Sequence, residues 1–173
     1  MSASPTRAIR PANLAAGRAP FERVVEEHGA LVWRVCRGML VEHDAEDAWS
    51  ETFLAAMRAW PAFDGNTAGW LVTIAHRKAI DVLRAQARTA IPTDELPETD
   101  SRLGVPGDRD LDLWAALQLL PPRQRAAVVH HHLAGVPFTE VADLTGTTPA
   151  AARKAASDGV QRLRALLAGK EIA

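Results

Sequence analysis

The sequence is short of cysteine, of long apolar runs and of strand-like alternation, and each shortage closes off a class of protein. Cys36 is the only cysteine among 173 residues, so an internal disulfide is impossible and a cysteine-based zinc site lacks its ligands. The apolar neighbours of Cys36 suggest a buried core thiol. No apolar stretch approaches the roughly 20 residues of a membrane span. The N-terminal "MSASPTRAIRPANLAAGRAP" carries Pro and Arg where a signal peptide would be apolar. A cytoplasmic location is therefore expected. Period-two alternation, internal repeats and low-complexity tracts are absent. What remains is 47% hydrophobic and 24% charged, a globular composition long enough for one ordinary domain or two small ones.

The formal net charge of −1 argues against indiscriminate nucleic-acid binding, but it averages over a pattern. Basic and acidic residues nearly balance up to Arg88. Between Thr89 and Asp110 the acids Asp94, Glu95, Glu98, Asp100, Asp108 and Asp110 face only Arg102 and Arg109, and basic residues lead from Leu111 onward. Residues 89–110, rich in Pro, Gly and acids and without an apolar period, read as a flexible acidic linker. The expected fold is all-α: a disordered segment over 1–18, a small helical domain over 19–88, the linker, and a second small helical domain over 111–168.

In the first domain Phe21, Val24, Val25, His28, Leu31, Val32, Val35, Cys36 and Met39 recur at helical spacing. A second helix is predicted from near Asp44 to Pro61, and a third from about Trp70 to Ala87. In the second domain "LDLWAALQLL" is broken by Pro121-Pro122, and helix resumes through His132. After Gly135 and Pro137, Thr139 is positioned to cap "EVADL", Gly146 permits a tight turn, and Thr148-Pro149 places an N-cap before an N1 proline. Helix, short glycine-containing turn and longer helix is the helix-turn-helix pattern.

Several stretches carry chemistry. In "HDAEDAWSETF" the acids crowd one short helix: Asp47, Ser50, Glu51 and Leu54 share a face, whereas Trp49, Phe53, Met57 and Trp60 share another that suits a core. The acidic face is either solvated or met by a basic partner. "FDGNTAGW" is a polar loop bounded by Phe63 and Trp70, a composition able to accept an unstacked base. The following helix carries His76, Arg77, Lys78, Arg84 and Arg88 for phosphate contact, with Asp81 expected to pair with a neighbouring base. A helix from Pro149 lying in a major groove would present Thr148, Ala150, Ala151, Arg153, Lys154 and Ser157.

A catalytic reading fails on placement. His28, His43-Asp44 and Asp81 follow the order of metal-dependent phosphohydrolases, yet His28 falls on an apolar stripe and nothing supplies the rest of an active site. The tract His130-His131-His132 resembles a metal ligand run, but consecutive helical residues point about 100° apart and cannot chelate together. One member should face inward. No catalytic residue, metal site or cofactor is expected.

Together these pieces resemble the extracytoplasmic-function (group IV) sigma factors of bacterial RNA polymerase, from Phe21 to Leu167. "DAEDAWSETF" is similar to their region 2.2, "FDGNTAGWLVTIAHRKAIDVLR" to regions 2.3 and 2.4, and "LQLLPPRQRAAVVHHHLAGVPFTEVADLTG" to the start of region 4. The resemblance implies that Asp44, Glu46, Asp47, Ser50 and Glu51 dock on the clamp coiled coil of the polymerase β′ subunit. It implies that Phe63, Asp64, Gly65 and Asn66 cup a base flipped from the minus-ten element, with Trp70, His76, Arg77, Lys78, Arg84 and Arg88 tracking the adjacent DNA. It assigns minus-thirty-five contact to Thr147, Thr148, Ala151, Arg153, Lys154 and Ser157, contact with the β flap to region 4, and a path through the RNA channel to the linker. Partners would be core RNA polymerase and promoter DNA, with an anti-sigma factor as a further candidate and no membrane insertion.

Four departures from the family pattern stand out. Ser50 replaces a usual glutamine, and His76-Arg77 replaces Arg-Asn. Ala155 and Asp158 occupy recognition-helix positions that are usually arginine, and an acid facing phosphate is unfavourable. Gly159 adds flexibility to the same helix. Two rival readings follow: a stand-alone helix-turn-helix regulator that binds duplex DNA as a dimer, and a sigma-like interaction module with weak promoter recognition.

Overall fold

Helix boundaries in this chain follow from prolines, glycines and a few capping side chains. The computed structural model describes residues 20–89 and 109–169. The segment 1–18, expected to be disordered, and most of the acidic linker lie outside the described residues.

Helix α1, Phe21–Met39, follows Pro20 and buries Val24, Val32, Val35, Cys36 and Met39. His28 is half-buried at the edge of that stripe. Helix α2, Glu42–Ala59, starts two residues before the expected Asp44 and closes in a 3-10 turn, Trp60–Ala62, around Pro61. Helix α3, Thr67–Thr89, starts three residues ahead of Trp70. Asn66 explains the early start, because its Oδ1 accepts from the Gly69 N–H at 3.3 Å and satisfies an orphan donor of the first turn. Thr89 at the end of α3, and Arg109 and Asp110 at the start of α4, Arg109–Gln118, extend helix into both edges of the predicted linker.

Pro122 opens α5, Pro122–Val128, where its missing N–H is harmless. The chain then widens into a π-helical turn, Val129–Leu133. Helix α6, Phe138–Thr145, begins one residue before Thr139, so Thr139 lies inside the helix and does not cap it. Pro137, held at φ −59° and ψ 148°, delivers extended backbone directly to the first turn. Gly146 takes the left-handed φ of 66° that ends α6. Helix α7, Pro149–Ala168, starts as expected, with Thr148 Oγ1 accepting from the Ala151 N–H at 3.2 Å.

Helices α1, α2 and α3 pack on one another, and α7 packs against α4, α5 and α6. The first bundle is filled by Leu71, Val72, Ala75 and Ala79 of α3 against Val32, Val35 and Cys36 of α1 and Phe53 and Ala56 of α2, all buried. Trp49 donates from Nε1 to the Gly29 carbonyl at 3.0 Å, and buried Thr52 donates to the Ala48 carbonyl at 2.6 Å, so both polar groups are paired. Burial pushes the Cys36 thiol up to about 12, which keeps it neutral and unreactive. In the second bundle Gly159 is buried where a Cβ would lie 2.7 Å from Val128 Cγ2 and 3.3 Å from the Gln124 carbonyl. The glycine that reads locally as added flexibility is what allows α5 and α7 to approach.

The two bundles also dock on each other, which a linker-joined pair of domains does not foretell. Helix α1 touches α4, α5 and the π-helical turn. Gln118 Nε2 donates to the carbonyls of Gly38 and Leu40 at 3.3 and 3.2 Å, and Arg125 Nη1 donates to that of Met39 at 3.1 Å. The Arg37 guanidinium lies 5.7 Å from the Trp114 ring centroid.

Candidate nucleic-acid interface

On α2 the spacing that buries Ala45, Ala48, Thr52, Phe53 and Ala56 turns Glu46, Asp47, Ser50 and Glu51 outward. Two of the acids are already engaged. Asp44 accepts from Gln86 Nε2 at 2.6 Å and Glu51 pairs with Lys78 Nζ at 3.4 Å, both across to α3. Asp47 stands 73% exposed beside His43, 3.9 Å away, and Glu46 is exposed. Met57 does not join Trp49, Phe53 and Trp60 inside: it follows buried Ala56, points about 100° away from it, and is 50% exposed. With exposed Leu54 it adds an apolar component to the acidic face.

The loop after α2 is braced by aromatics. Phe63 stacks on Trp70 with centroids 4.0 Å apart and planes 11° from parallel, and Trp60 stacks on both. Asp64, Gly65 and Asn66 are exposed at the tip, beside a half-buried Phe63. Along α3, Arg77, Arg84 and Arg88 are exposed and Lys78 is half-buried by its pairing with Glu51. Asp81 is exposed and makes no ion pair among the described residues, contrary to its expected partnership with a base. His76 points the other way, into the second bundle. It is buried, and its Nδ1 lies 2.7 Å from Nε2 of buried His130.

Both rings of the histidine pair are held below the ordinary imidazole range. Burial, and then the neighbouring His76, drive His130 down to about 3. Burial likewise lowers His76, with Arg77 and Arg84 adding to the shift and the Leu144 backbone opposing it. His130 Nδ1 has no hydrogen-bond partner among the described residues. A bare lone pair there costs less than an orphaned N–H, so His130 donates from Nε2 to His76 Nδ1. The rest of the histidine tract diverges. His131 donates from Nδ1 to the Val136 carbonyl at 2.8 Å and stacks on Phe138, whereas His132 is exposed. One ring faces inward, as the helical geometry requires.

On α7, Thr148, Ala151, Arg153, Lys154 and Ser157 are exposed and Thr147 is half-buried, its hydroxyl 3.1 Å from that of Thr145. Asp158 does not face outward unopposed: it binds Lys154 Nζ at 2.7 Å. A groove of about 340 Å³ flanks this surface, lined by His131, His132, Phe138, Arg153, Ser157 and Arg164 among others and by no acid. Arg153 lies over the Phe138 ring at 5.3 Å. The sequence reading missed His131, His132 and Arg164. For Arg164 a signal was present, since a separation of 11 residues from Arg153 is close to three helical turns. For the histidines there was none, because they reach the groove only through packing.

Comparison with known proteins adds a family frame to this geometry. Residues 24–89 match the family described as Sigma-70 region 2, and residues 110–163 match Sigma-70, region 4. The chain is 35% identical over 163 residues to the RNA polymerase sigma factor CarQ of Myxococcus xanthus, covering 88% of this chain and 91% of that relative. It is 33% identical over 164 residues to the ECF RNA polymerase sigma factor SigE of Mycolicibacterium smegmatis, covering 86% of this chain but only 62% of that longer relative. In fold it is similar to the sigma factor RpoE of Bartonella quintana, solved in complex with the anti-sigma factor NepR, with a TM-score of 0.64, 21% identity, and coverage of 84% of this chain and 97% of that one.

Proposed function

The chain belongs to the extracytoplasmic-function sigma factors of bacterial RNA polymerase, and from that membership we propose how its surfaces divide the work. The protein is a sigma factor: with core polymerase it recognises promoter DNA and initiates transcription. Glu46 and Asp47, with Ser50, Leu54 and Met57 around them, form the part of α2 that meets the β′ clamp coiled coil; Asp44 and Glu51 help fasten α2 to α3 and join at the edge. Exposed acids placed beside apolar side chains suit a basic helical partner, because burial of Leu54 and Met57 supplies affinity and the acids supply orientation.

Phe63, Asp64, Gly65 and Asn66 hold the flipped minus-ten base, with Trp70 behind Phe63 as the second layer of the stack. Arg77, Lys78, Arg84 and Arg88 follow the phosphates away from the loop. Strand opening without ATP is differential binding: an unstacking cost of a few kcal/mol per base is offset by stacking of about 1–3 kcal/mol per base and by phosphate contacts made only to the open strand. On α7, Thr148, Ala151, Arg153, Lys154 and Ser157, with Thr147 before them, meet the minus-thirty-five element, and the His131, His132 and Arg164 flank borders it. Region 4 also takes the β flap. We place the protein in the cytoplasm beside polymerase, assign it no catalytic chemistry of its own, and name an anti-sigma factor as a candidate further partner.

The observation that carries this reading is the presence, in one chain and in this order, of an acid-faced three-helix unit with an aromatic-backed loop and a helix-turn-helix unit. The test is transcription in vitro with purified protein, core polymerase and fragmented genomic DNA, sequencing the 5′ ends of the products. Discrete starts that require the protein are the expected result. Binding to core without starts would mean an interaction module, and neither would mean a free-standing regulator.

A further inference from the structure

The groove beside α7 gathers four basic side chains from two parts of the chain. Arg153 and Arg164 line it from α7, about 16 Å apart along the helix axis, with the Ser157 hydroxyl between them. His131 and His132 line it from the π-helical turn. Phe138 fixes the wall: His131 stacks on its ring at 3.7 Å, and the Arg153 guanidinium lies 5.3 Å from its centroid. No acid lines this groove. Asp158 is held by Lys154 and lines a separate groove against α5, while Glu140 and Asp143 of α6 line the cleft towards α3. His130, the first ring of the tract, is buried against His76 and takes no part. The groups that share the groove with His131 and His132 are therefore cationic or uncharged.

A guanidinium stays charged at every physiological pH, whereas an imidazole ordinarily changes charge near about pH 6.5. The Val136 carbonyl can only accept, so its hydrogen bond of 2.8 Å places the proton of a neutral His131 on Nδ1. Nε2 then carries a lone pair and offers a phosphate no donor. A second proton reverses this, because both nitrogens of an imidazolium donate. His132 lies edge-on to His131 with centroids 4.8 Å apart, and burial, then His131, lowers its pKa. Charging both rings beside two guanidiniums is opposed by repulsion unless an anion enters. We propose that this groove is a proton-linked phosphate clamp: His131 and His132, charged together with Arg153 and Arg164, hold the backbone of the duplex beside the minus-thirty-five element, and binding takes up protons. The inference rests on the placement of α7 against promoter duplex and deepens it. Region 4 holds DNA more tightly as pH falls, and each ring that charges adds a phosphate contact.

The test is fluorescence anisotropy of the full chain with a labelled mixed-sequence duplex of about 30 base pairs, since phosphate contacts are sequence-independent. Affinity is read at about pH 8 and about pH 6 at constant ionic strength. The natural chain is expected to bind on the order of tenfold more tightly at the lower pH, with a salt slope steeper there by about 0.9 for each ring that charges. His131→Gln with His132→Gln should bind alike at both pH values, and His132→Arg should keep tight binding at the higher one. His130→Leu removes the buried pair between the bundles and should retain the response. Equal affinity of the natural chain at both pH values, a response that survives the double glutamine variant, or one that disappears in His130→Leu would each overturn the clamp. His132 is exposed, so His132→Gln alone should lose part of the response and reports even where His131→Gln disturbs the stack on Phe138. Failure of the natural chain to start transcription with core polymerase would instead sink the sigma-factor reading, whereas pH-independent duplex binding by a chain that does start transcription sinks only the clamp.

Discussion

Lys154 and Asp158 lie four residues apart on α7 and form an ion pair of 2.7 Å. The acid at position 158 thus acts first on its own helix, occupying a cation proposed to reach phosphate. Each phosphate neutralised contributes about 0.9 to the slope of log affinity against log salt. Asp158→Asn is expected to strengthen binding to promoter duplex and to steepen that slope by about 0.9; an unchanged slope across a salt titration would mean that Lys154 faces away from the backbone. His76 teaches the opposite lesson. Its neighbours Arg77 and Lys78 are cations proposed to meet phosphate, whereas its own helical position turns it towards the second bundle. Thr148 and Pro149 were legible because a cap is a local arrangement of backbone and side chain. His76 was not, because its partner His130 is 54 residues away.

Among the elements, α2 is the clearest case of a face that sequence periodicity divides almost correctly. The acidic side was visible, but Met57 was assigned to the core by its spacing from Phe53, and the structure places it with Leu54 on the outside. Small buried residues, Ala45, Ala48 and Ala56, make the buried stripe narrow, and narrowness is invisible to a pattern that scores only large apolar residues. Glu46→Lys with Asp47→Lys is expected to abolish binding to core polymerase in a pull-down while leaving the helical circular dichroism unchanged, since neither acid holds α2 to α3. Helix α7 makes the second case. Gly159→Ala gains about 1 kcal/mol of helix propensity, but overpacking against Val128 costs typically 1–3 kcal/mol. The steric term should win because Val128 is buried and cannot swing aside, so thermal unfolding of the variant should begin at lower temperature than that of the natural protein.

For the molecule as a whole, the docking of the two bundles on each other should depend on pH. His130 faces His76 across the contact between the bundles. His76 in turn has Arg77 and Arg84 on its own helix, the Leu144 backbone from α6, and Glu140 and Asp143 on the cleft they share. Both rings are pushed below the ordinary 6.5 in the docked arrangement, His130 to about 3, chiefly by burial. Separated, they return towards 6.5. Docking is therefore fully favoured above about pH 6.5 and loses ground as pH falls through that value towards the lowered pKa of the docked rings, by up to about tenfold per unit for each ring. Scattering from about pH 8 to about pH 5 should show a constant radius at the upper end and expansion at the lower, and His130→Leu should flatten the response. A constant radius throughout would mean that the bundles stay docked whatever the charge of the rings.

The sequence alone determined the local features: an all-helical chain, the acid-faced second helix, the polar loop between Phe63 and Trp70, the Gly146 turn and the Thr148 cap. Each depends on residues within a few positions of one another, where helical period and backbone chemistry leave little choice. Only the tertiary structure decided that Gly38 and Gly159 are contact points, that His76 is hidden, that His131 and His132 border the groove on α7, and that the two bundles close on each other. Those outcomes come from pairs such as Gln118 and Gly38, 80 residues apart. Pairing at that range is selected by shape and by unsatisfied polar groups in three dimensions, and no one-dimensional period encodes it.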